Sequence, residues 1–298
     1  MPGVTAHDRI LVAGEALVDL VPAEDGTLFP YPGGGPFTTA RALGRLGRPV
    51  AFAGRLSTDR FGQEMAAMLA ADGVAAEALE RTDAPTTLAL AEVDAAGAAR
   101  YRFYTEGTSA PELEAANAGA PAVVHVGTLG LVLEPMAGAV EALVGRLAGR
   151  ALVMVDPNIR PAAIADEAAY RARLDRVLAG ADVVKVSDED LGWLAPGETL
   201  LERGPAVTLV TRGGEGATVH GAFGSLEVAA PPVAVVDTIG AGDTFSAGWL
   251  AWWTEHGLGP GALGGRDAVA EATGFACRAA ALTCSRAGAD PPRRGELP

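Results

Sequence analysis

Short apolar runs alternate with helical segments through the middle of the chain. The runs at 122–126, 151–155, 182–186 and 206–211 have the length and aliphatic composition of buried strands. Helical patterns at 136–148, 166–179 and 188–195 lie between them, and a hairpin at 216–220 and 226–230 and a long helix at 267–287 follow. Such alternation is typical of layered α/β folds, so the sequence predicts a doubly wound, mostly parallel central sheet flanked by helices.

The first hundred residues contain two segments that interrupt this alternation. Strands are predicted at 10–14 and 50–53, with helices at 36–47 and 60–72 that end at or just before glycines. The insertions at about 16–35 and 86–108 are strand-like instead, and the second contains a strand pair around a turn at 94–97. We interpret them as a small β-sheet lid on one domain, residues 1–298, because small sheets of this kind often close over ligands.

Charge and composition exclude several functions. A net charge of −14 argues against nucleic-acid binding, which needs a basic face. Lys185 is the only lysine and follows two valines, so the chain lacks both a Walker A lysine and a protein-kinase strand lysine. Cys277 and Cys284 form no metal-binding pattern. Neither a signal peptide nor a membrane-spanning run is evident, so we expect a cytoplasmic protein without a membrane partner.

The most informative motif is DTIGAGDTF at 237–245. An apolar run stops at Asp237, a Gly-Ala-Gly turn follows, and Asp243 opens a long apolar segment that predicts a buried helix. Unpaired amides at a helix N-terminus attract anions, and a carboxylate beside them suits phosphoryl transfer to an alcohol. Helix capping is the alternative interpretation, but it does not readily explain two carboxylates six residues apart.

Further polar segments follow other predicted strands, at the strand ends where ligands of such folds bind. Asp19 suits sugar hydroxyls, three glycines at 33–35 allow close approach of a ligand or a hinge, and Arg160 closes the sequence DPNIR at 156–160. An acidic run at 188–190 suits Mg²⁺ bound through water, and a glycine-rich turn at 211–216 suits nucleotide phosphates. Taken singly, each segment also fits a surface loop, a turn or a charged helix start.

Together these segments resemble the ribokinase family, also called the PfkB family of carbohydrate kinases, over nearly the whole chain. Residues 237–245 are similar to its C-terminal signature, and Gly33 with Gly34 to its N-terminal one. The sequence DPNIR and the run from Lys185 to Asp190 resemble the fructokinase and 2-keto-3-deoxygluconate kinase branch. The resemblance implies a ribokinase-like fold, ATP and Mg²⁺ as cofactors, K⁺ as in many members, and a homodimer formed through the lid.

The resemblance also implies a role for each motif residue. Asp243 would be the general base, and the amides of Gly240, Ala241 and Gly242 would stabilise charge during transfer. Asp190 would hold Mg²⁺ through water, and Asp237 with the Ile239 carbonyl would bind the monovalent cation. The residues implied at the sugar site are Asp19, Gly33, Gly34, Thr38, Tyr104 and Arg160. The residues implied at the nucleotide site are Lys185, Ser187, Asp190, Thr211, Gly213, Gly214 and Gly216.

We therefore expect an ATP-dependent sugar kinase that phosphorylates a primary hydroxyl, with fructose as the first candidate. Three positions depart from the family pattern. Thr38 stands where many members have Asn, Asp190 replaces a Glu, and Thr105 follows Tyr104 where sugar-acid kinases often carry Arg, which favours a neutral sugar. The alternatives are a 2-keto-3-deoxygluconate kinase, a ribokinase or nucleoside kinase, and a non-enzymatic nucleotide or sugar sensor on the same fold.

Overall fold

The computed structural model describes residues 9–23, 25–93, 99–116, 119–194 and 200–297. The predicted turn at 94–97 and the end of the predicted helix at 188–195 lie outside the described residues. The described strands are β1 (Ile10–Ala13), β2 (Leu17–Pro22), β3 (Leu28–Gly33), β4 (Val50–Ala53), β5 (Arg55–Ser57), β6 (Glu80–Thr82), β7 (Leu88–Val93), β8 (Ala99–Tyr104), β9 (Val123–Gly127), β10 (Leu152–Asp156), β11 (Val183–Ser187), β12 (Val207–Thr211), β13 (Ala217–Gly221) and β14 (Gly224–Val228). The described α-helices are α1 (Gly35–Arg45), α2 (Arg60–Ala71), α3 (Met136–Leu147), α4 (Glu167–Ala179), α5 (Asp188–Leu194), α6 (Ala241–Glu255) and α7 (Arg266–Cys284).

An eight-stranded sheet forms the centre of the molecule, in the order β14-β13-β12-β11-β10-β9-β1-β4. The six strands from β4 to β12 in this order pair in parallel, and β13 and β14 add antiparallel strands at one edge. The predicted mostly parallel sheet is confirmed. The chain leaves β1 for β4 on one side and later returns to β9 on the other, which creates the strand-order reversal where ligands of such folds bind.

Helices cover both faces of this sheet. Ile10 and Val12 of β1 pack in one apolar cluster with α1, α6 and α7, whereas Leu11 and Ala13 pack in a second cluster with α3 and α4. This division follows from the alternation of side chains along a strand. Because both faces are buried, the parallel strands are continuous apolar runs, which is the pattern that predicted them.

Two helices start with the local signals that the sequence carries. The residue before α1 is Gly34, whose φ of 102° suits glycine, and a proline lies in the first turn. The side chain of Asp59 caps α2 by accepting a hydrogen bond from the Gly62 amide at 2.9 Å. Helix α6 begins at Ala241, two residues earlier than predicted, so Asp243 lies inside its first turn.

The two predicted insertions meet in a second sheet of four strands, in the order β3-β2-β7-β8. Leu17, Ala89 and Leu129 form a small cluster that joins this lid sheet to the core. The lid sheet exposes Leu28, Phe29, Tyr31 and Tyr104, and Tyr31 also lines the cavity beneath it. A further two-stranded sheet of β5 and β6 was not predicted. Within the described ranges, no helix has the length and apolar character needed to cross a membrane.

Candidate active site

Two cavities open at the carboxyl ends of the central strands. The larger, of about 450 Å³, lies between these ends and the lid sheet, and the smaller, of about 210 Å³, lies against α7. Thr238 and Gly242 line both cavities, so the two meet at the Gly-Ala-Gly turn. The larger cavity is lined by eleven of the predicted positions, namely Asp19, Gly33, Gly34, Thr38, Arg160, Lys185, Asp237, Ile239, Gly240, Gly242 and Asp243.

The turn before α6 presents backbone amides to this meeting point. Gly240 has a φ of 74°, and a Cβ there would lie 2.9 Å from the Ala289 Cβ and 3.2 Å from the Thr38 Cγ2. The Ala241 amide donates a 3.2 Å hydrogen bond to the Thr238 carbonyl, which shapes the turn. The next amides, in the first turn of α6, lack intrahelical acceptors, and they belong to Gly242, which lines both cavities, and Asp243, which lines the larger one. The turn therefore offers an anion site, with the Ala241 amide partly engaged inside it.

Asp243 projects from the first turn of α6 into the larger cavity. The pKa of this carboxyl is raised to about 7, mainly by burial and also by Asp156, against the opposing effects of Lys185 and Arg160. A Cβ at Gly35 would lie 3.1 Å from Asp243 Oδ1, so only glycine leaves room beside the carboxylate. The group is thus a carboxyl near its titration point, next to an anion site and open to a cavity.

A buried ion pair lies beneath the first turn of α6. Lys185 Nζ donates to Asp156 Oδ2 at 2.9 Å, and Ser246 Oγ donates to the same oxygen at 3.4 Å. Lys185 lines the larger cavity, and its Nζ would lie 2.9 Å from a Cβ at Gly242. Lys185 was predicted on the nucleotide side. Its side chain lies on the α6 face of β11, beside Gly242, which lines both cavities.

The lid wall of the larger cavity differs from the predicted one. Tyr101 and Phe103 line the cavity with their rings stacked 6.1 Å apart, whereas Tyr104 is 48% exposed on the opposite face of β8. Side chains alternate along a strand, so Tyr104 is corrected to Tyr101 as the tyrosine of this site. Asp19 faces the same space, and burial raises its pKa to about 6 against the opposing effect of Arg160.

Glu15 also lines the larger cavity, and the sequence reasoning did not single it out. Its Oε1 accepts from the Gly35 amide at 3.2 Å and its Oε2 from the Gly130 amide at 2.9 Å. Burial raises the pKa of this fully buried carboxyl to about 8, the neighbouring Asp243 also raises it, and the amide hydrogen bonds oppose the shift. The sequence feature that could have identified Glu15 is an acidic residue directly after a predicted apolar strand.

The smaller cavity contains the predicted glycine-rich turn. Thr211, Gly213, Gly214 and Gly216 line one side of it. The opposite side was not anticipated and consists largely of apolar and small residues, among them Cys277, Ala280, Ala281 and Cys284 of α7. Because the residues on both sides are small, the cavity has room for a planar ring between them. The phosphates of such a ligand would then lie toward the anion site at the Gly-Ala-Gly turn.

Ser187 and Asp190, predicted beside the nucleotide, line neither cavity. Asp190 is buried, and its two oxygens accept from the amides of Ile159 at 2.9 Å and Ser187 at 3.4 Å. These bonds hold the loop that carries Arg160. Among the residues that the structure describes, no group of three or more His, Cys, Asp or Glu side chains could hold a metal ion.

Asp237 braces the loop that precedes the turn. Its Oδ1 accepts from the Ile239 amide at 3.0 Å and its Oδ2 from the Gly288 amide at 2.8 Å. The carboxylate thereby joins the loop before α6 to the segment after α7, and both segments line the larger cavity. The Ile239 carbonyl, which the resemblance implies as the second ligand of a monovalent cation, lies in the same loop as Asp237.

Comparison with known proteins identifies the family to which the chain is similar. The model of the pfkB family of carbohydrate kinases matches residues 7–294. A fructokinase of Rhizobium leguminosarum bv. trifolii is 38% identical over 258 residues, covering 81% of this chain and 78% of the relative. A fructokinase of Klebsiella pneumoniae is 34% identical over 271 residues, covering 85% and 86%. The ATP-bound crystal structure of a Xylella fastidiosa fructokinase superimposes with a TM-score of 0.87 at 26% identity, covering 98% of this chain and 95% of that one.

Proposed function

The chain belongs to the pfkB family of carbohydrate kinases, and from that premise we propose that it transfers the terminal phosphoryl group of ATP to a primary hydroxyl of fructose. It is a phosphotransferase with an alcohol acceptor, as its family membership and its fructokinase relatives indicate. The observation that carries the proposal is the position of Asp243 in the larger cavity, next to the Gly-Ala-Gly turn at which the two cavities meet.

Asp243 is the general base of the proposed reaction. A base works best when its pKa lies near the operating pH, and the pKa of about 7 meets that condition. The ionised carboxylate removes the proton of the attacking hydroxyl as the bond to phosphorus forms. Phosphoryl transfer otherwise depends on positioning and charge stabilisation, which the amides of the turn at 240–242 supply to the transferred group.

Charge in the larger cavity supports a neutral acceptor. Arg160 and Lys185 are its cations, and Lys185 is already paired with Asp156. Asp19, Asp237 and Asp243 add negative charge on the same lining. A sugar acid would add a further carboxylate to a lining that already has more acidic than basic side chains. The site therefore favours fructose over 2-keto-3-deoxygluconate. We assign Asp19 and Arg160 to the sugar hydroxyls, with Tyr101 and Phe103 as the apolar wall.

Magnesium would enter with the nucleotide. Mg²⁺ keeps several waters and binds through one or two carboxylates and substrate phosphates, and Asp156 Oδ1 is a buried oxygen without a hydrogen-bond partner in the described structure. Asp190 remains the proposed second carboxylate, acting through water, and each of its oxygens accepts one amide hydrogen bond that holds it in place. When bound, the ion would neutralise charge on the phosphates of the nucleotide.

For K⁺, Asp237 and the Ile239 carbonyl remain the proposed ligands. Replacing KCl by NaCl in the assay tests this proposed site.

Association of two lids is the proposed quaternary arrangement. Leu28, Phe29, Tyr31 and Tyr104 expose between 45% and 49% of their surface. Leu28 and Tyr104 lie on the face of the lid sheet that points away from the cavity, whereas Phe29 and Tyr31 lie on the cavity face of the edge strand β3, and large exposed apolar side chains at a sheet edge are typical of interfaces. Light scattering of the wild type and of a Phe29→Asp variant measures the oligomeric state, and a monomeric wild type would overturn this arrangement.

The decisive experiment compares acceptors and variants in an ADP-release assay. Fructose, ribose, adenosine and 2-keto-3-deoxygluconate are offered with ATP and Mg²⁺, and fructose is expected to give the highest kcat/KM. Asp243→Asn should lower kcat by about 10²–10⁴-fold, the usual contribution of a general base, while calorimetric ATP binding persists. Asp188→Asn is the matched control, because Asp188 is exposed on α5 and lines neither cavity.

The outcomes separate the alternatives. Full activity of Asp243→Asn would remove the base from the mechanism, and a higher kcat/KM with another acceptor would replace fructose. Tight binding of sugar and ATP without turnover of any acceptor would indicate a sensor on this fold.

A further inference from the structure

Glu15 connects three segments of the chain through two backbone hydrogen bonds. The residue follows β1 directly, is fully buried, and accepts from Gly35, the first residue of α1, and from Gly130, in the turn after β9. No ion pair involves this carboxyl among the described residues. A buried carboxyl without a cation is costly, so its place beside the cavity requires an explanation that packing alone does not give.

The two ends of the first lid hairpin meet at this side chain. Strand β2 begins two residues after Glu15, and β3 ends two residues before Gly35. The hydrogen bond from Gly35 to Glu15 therefore closes the base of the hairpin, across the backbone of Gly34, whose φ is 102°. A connection at this point determines the angle at which the hairpin leaves the core.

The same connection supports the proposed base. A Cβ at Gly35 would lie 3.1 Å from Asp243 Oδ1 and 2.5 Å from Thr128 Oγ1, so the Gly35 backbone is the surface against which the Asp243 carboxyl rests. Thr39, one turn further along α1, also donates to the Asp243 carbonyl at 3.4 Å. Movement of the start of α1 would move both the lid hairpin and the surroundings of Asp243.

We propose that Glu15 is a positioning residue that fixes the base of the lid hairpin relative to Asp243, so that closure of the lid on the sugar and alignment of the base occur together. The inference rests on the kinase function proposed above. Glu15 itself does not contact the reacting atoms, and its effect passes through the backbone of Gly35 and Gly130.

The charge state of Glu15 gives this role a distinctive pH dependence. The charged group that faces it is Asp243 of α6, while α1 and the turn after β9 present amides, and Asp19 and Lys185 line the same cavity. With its pKa at about 8, Glu15 is mostly neutral at pH 7. Ionisation at higher pH places the negative charges of Glu15 and Asp243 side by side in a buried site, and their repulsion displaces the Asp243 carboxylate from its aligned position.

The test compares Glu15→Ala and Glu15→Gln with Asp182→Asn. Asp182 is a matched control, because its carboxylate also accepts a backbone hydrogen bond, from Val153 at 2.8 Å, and its pKa is also raised by burial, at the opposite ends of the strands. Glu15→Ala should raise the KM for fructose at least about tenfold and leave the KM for ATP unchanged, since small misplacements of positioning groups cost up to about 10²-fold. Asp182→Asn should change neither KM.

Two further readouts keep the proposal testable if Glu15→Ala folds poorly or the acceptor is another sugar. Wild-type kcat should fall as the pH rises through about 8, and Glu15→Gln, which cannot ionise, should remove that fall. Hydrogen exchange without substrates should accelerate in residues 17–33 of Glu15→Ala and not in Asp182→Asn. Unchanged exchange in that hairpin, an equal rise of both KM values, or an alkaline limb that persists in Glu15→Gln would each overturn the role of Glu15. Inactivity of the wild type on every sugar would overturn the kinase function alone, because the exchange measurement still decides the positioning role.

Discussion

Replacing Lys185 by methionine removes one half of a buried ion pair while keeping the length of the side chain. Lys185 and Asp156 are only 4% and 2% exposed, and their charged atoms are 2.9 Å apart. Burial lowers the pKa of the ammonium, but the attraction of Asp156 outweighs it, and the net pKa is raised. Loss of one partner from such a pair costs about 3–5 kcal/mol, because the remaining charge stays buried and uncompensated.

The expected loss is measurable by thermal and chemical unfolding. At about 2–4 °C for each kcal/mol, the midpoint should fall by roughly 6–20 °C. The double variant Asp156→Asn/Lys185→Met carries neither charge and should recover most of this loss, which a double-mutant cycle quantifies. Arg176→Met is the control, since the ion pair of Arg176 with Glu141 lies on the surface and exposed pairs contribute little. A decrease of less than about 1 kcal/mol in the free energy of unfolding of Lys185→Met would refute the reasoning, because breaking a buried ion pair should cost more than that.

The same variant tests the electrostatics of Asp243. Lys185 lowers the pKa of the Asp243 carboxyl against burial and Asp156, so its removal should raise that pKa. A base acts in its ionised form, and the acid limb of kcat/KM should therefore move to higher pH. Activity relative to the wild type should be lower at pH 6.5 than at pH 8. An unmoved acid limb in a folded Lys185→Met protein would show that Lys185 does not act on the base.

Two further predictions concern the larger cavity. Wild-type kcat/KM for fructose should rise with pH through about 7 as Asp243 ionises, and a flat profile from pH 5.5 to about 8, the range that spans this titration, would contradict its role as base. Tyr101→Ala should raise the KM for fructose by up to about tenfold, equivalent to the ~0.5–1.5 kcal/mol of an aromatic contact, whereas Tyr104→Ala should leave it unchanged, because Tyr104 lies on the exposed face of β8. If Tyr104→Ala raises the KM for fructose more than Tyr101→Ala does, at a constant oligomeric state, Tyr104 and not Tyr101 is the tyrosine of the sugar site.

The fold was predictable because both faces of the central sheet are buried. Continuous apolar runs separated by helical segments placed β9 to β12 within one or two residues of their observed bounds, and the Gly-Ala-Gly turn marked the start of α6. The same reasoning failed where the outcome depends on which face of a strand points at the ligand. In β8 the alternation separates Tyr101 and Phe103 from Tyr104, but only the packing of the lid on the core decides which set lines the cavity.

Lys185 shows the same limit inside the core. Its neighbours along the chain, Ser187 and Asp190, suggested a nucleotide site, whereas its neighbours in space are Asp156 of β10 and Gly242 of α6. Strand periodicity places Lys185 on the same face as Val183, but it does not state that α6 covers that face. Contacts between distant segments therefore determine the role of the single lysine, and a local motif cannot supply them.

Asp243 and Glu15 are neighbouring carboxyl groups on the lining of the larger cavity, and their environments give them different roles in the proposed reaction. Burial raises the pKa of both, to about 7 for Asp243 and about 8 for Glu15. Lys185 and Arg160 oppose the shift only at Asp243, and amide hydrogen bonds are the only groups that oppose it at Glu15. As the pH rises, Asp243 therefore loses its proton first, and the ionised Asp243 in turn raises the pKa of Glu15. Near neutral pH this order gives one ionised carboxylate able to accept the hydroxyl proton and one neutral carboxyl able to hold the lid hairpin without adding charge that would repel the phosphates of ATP.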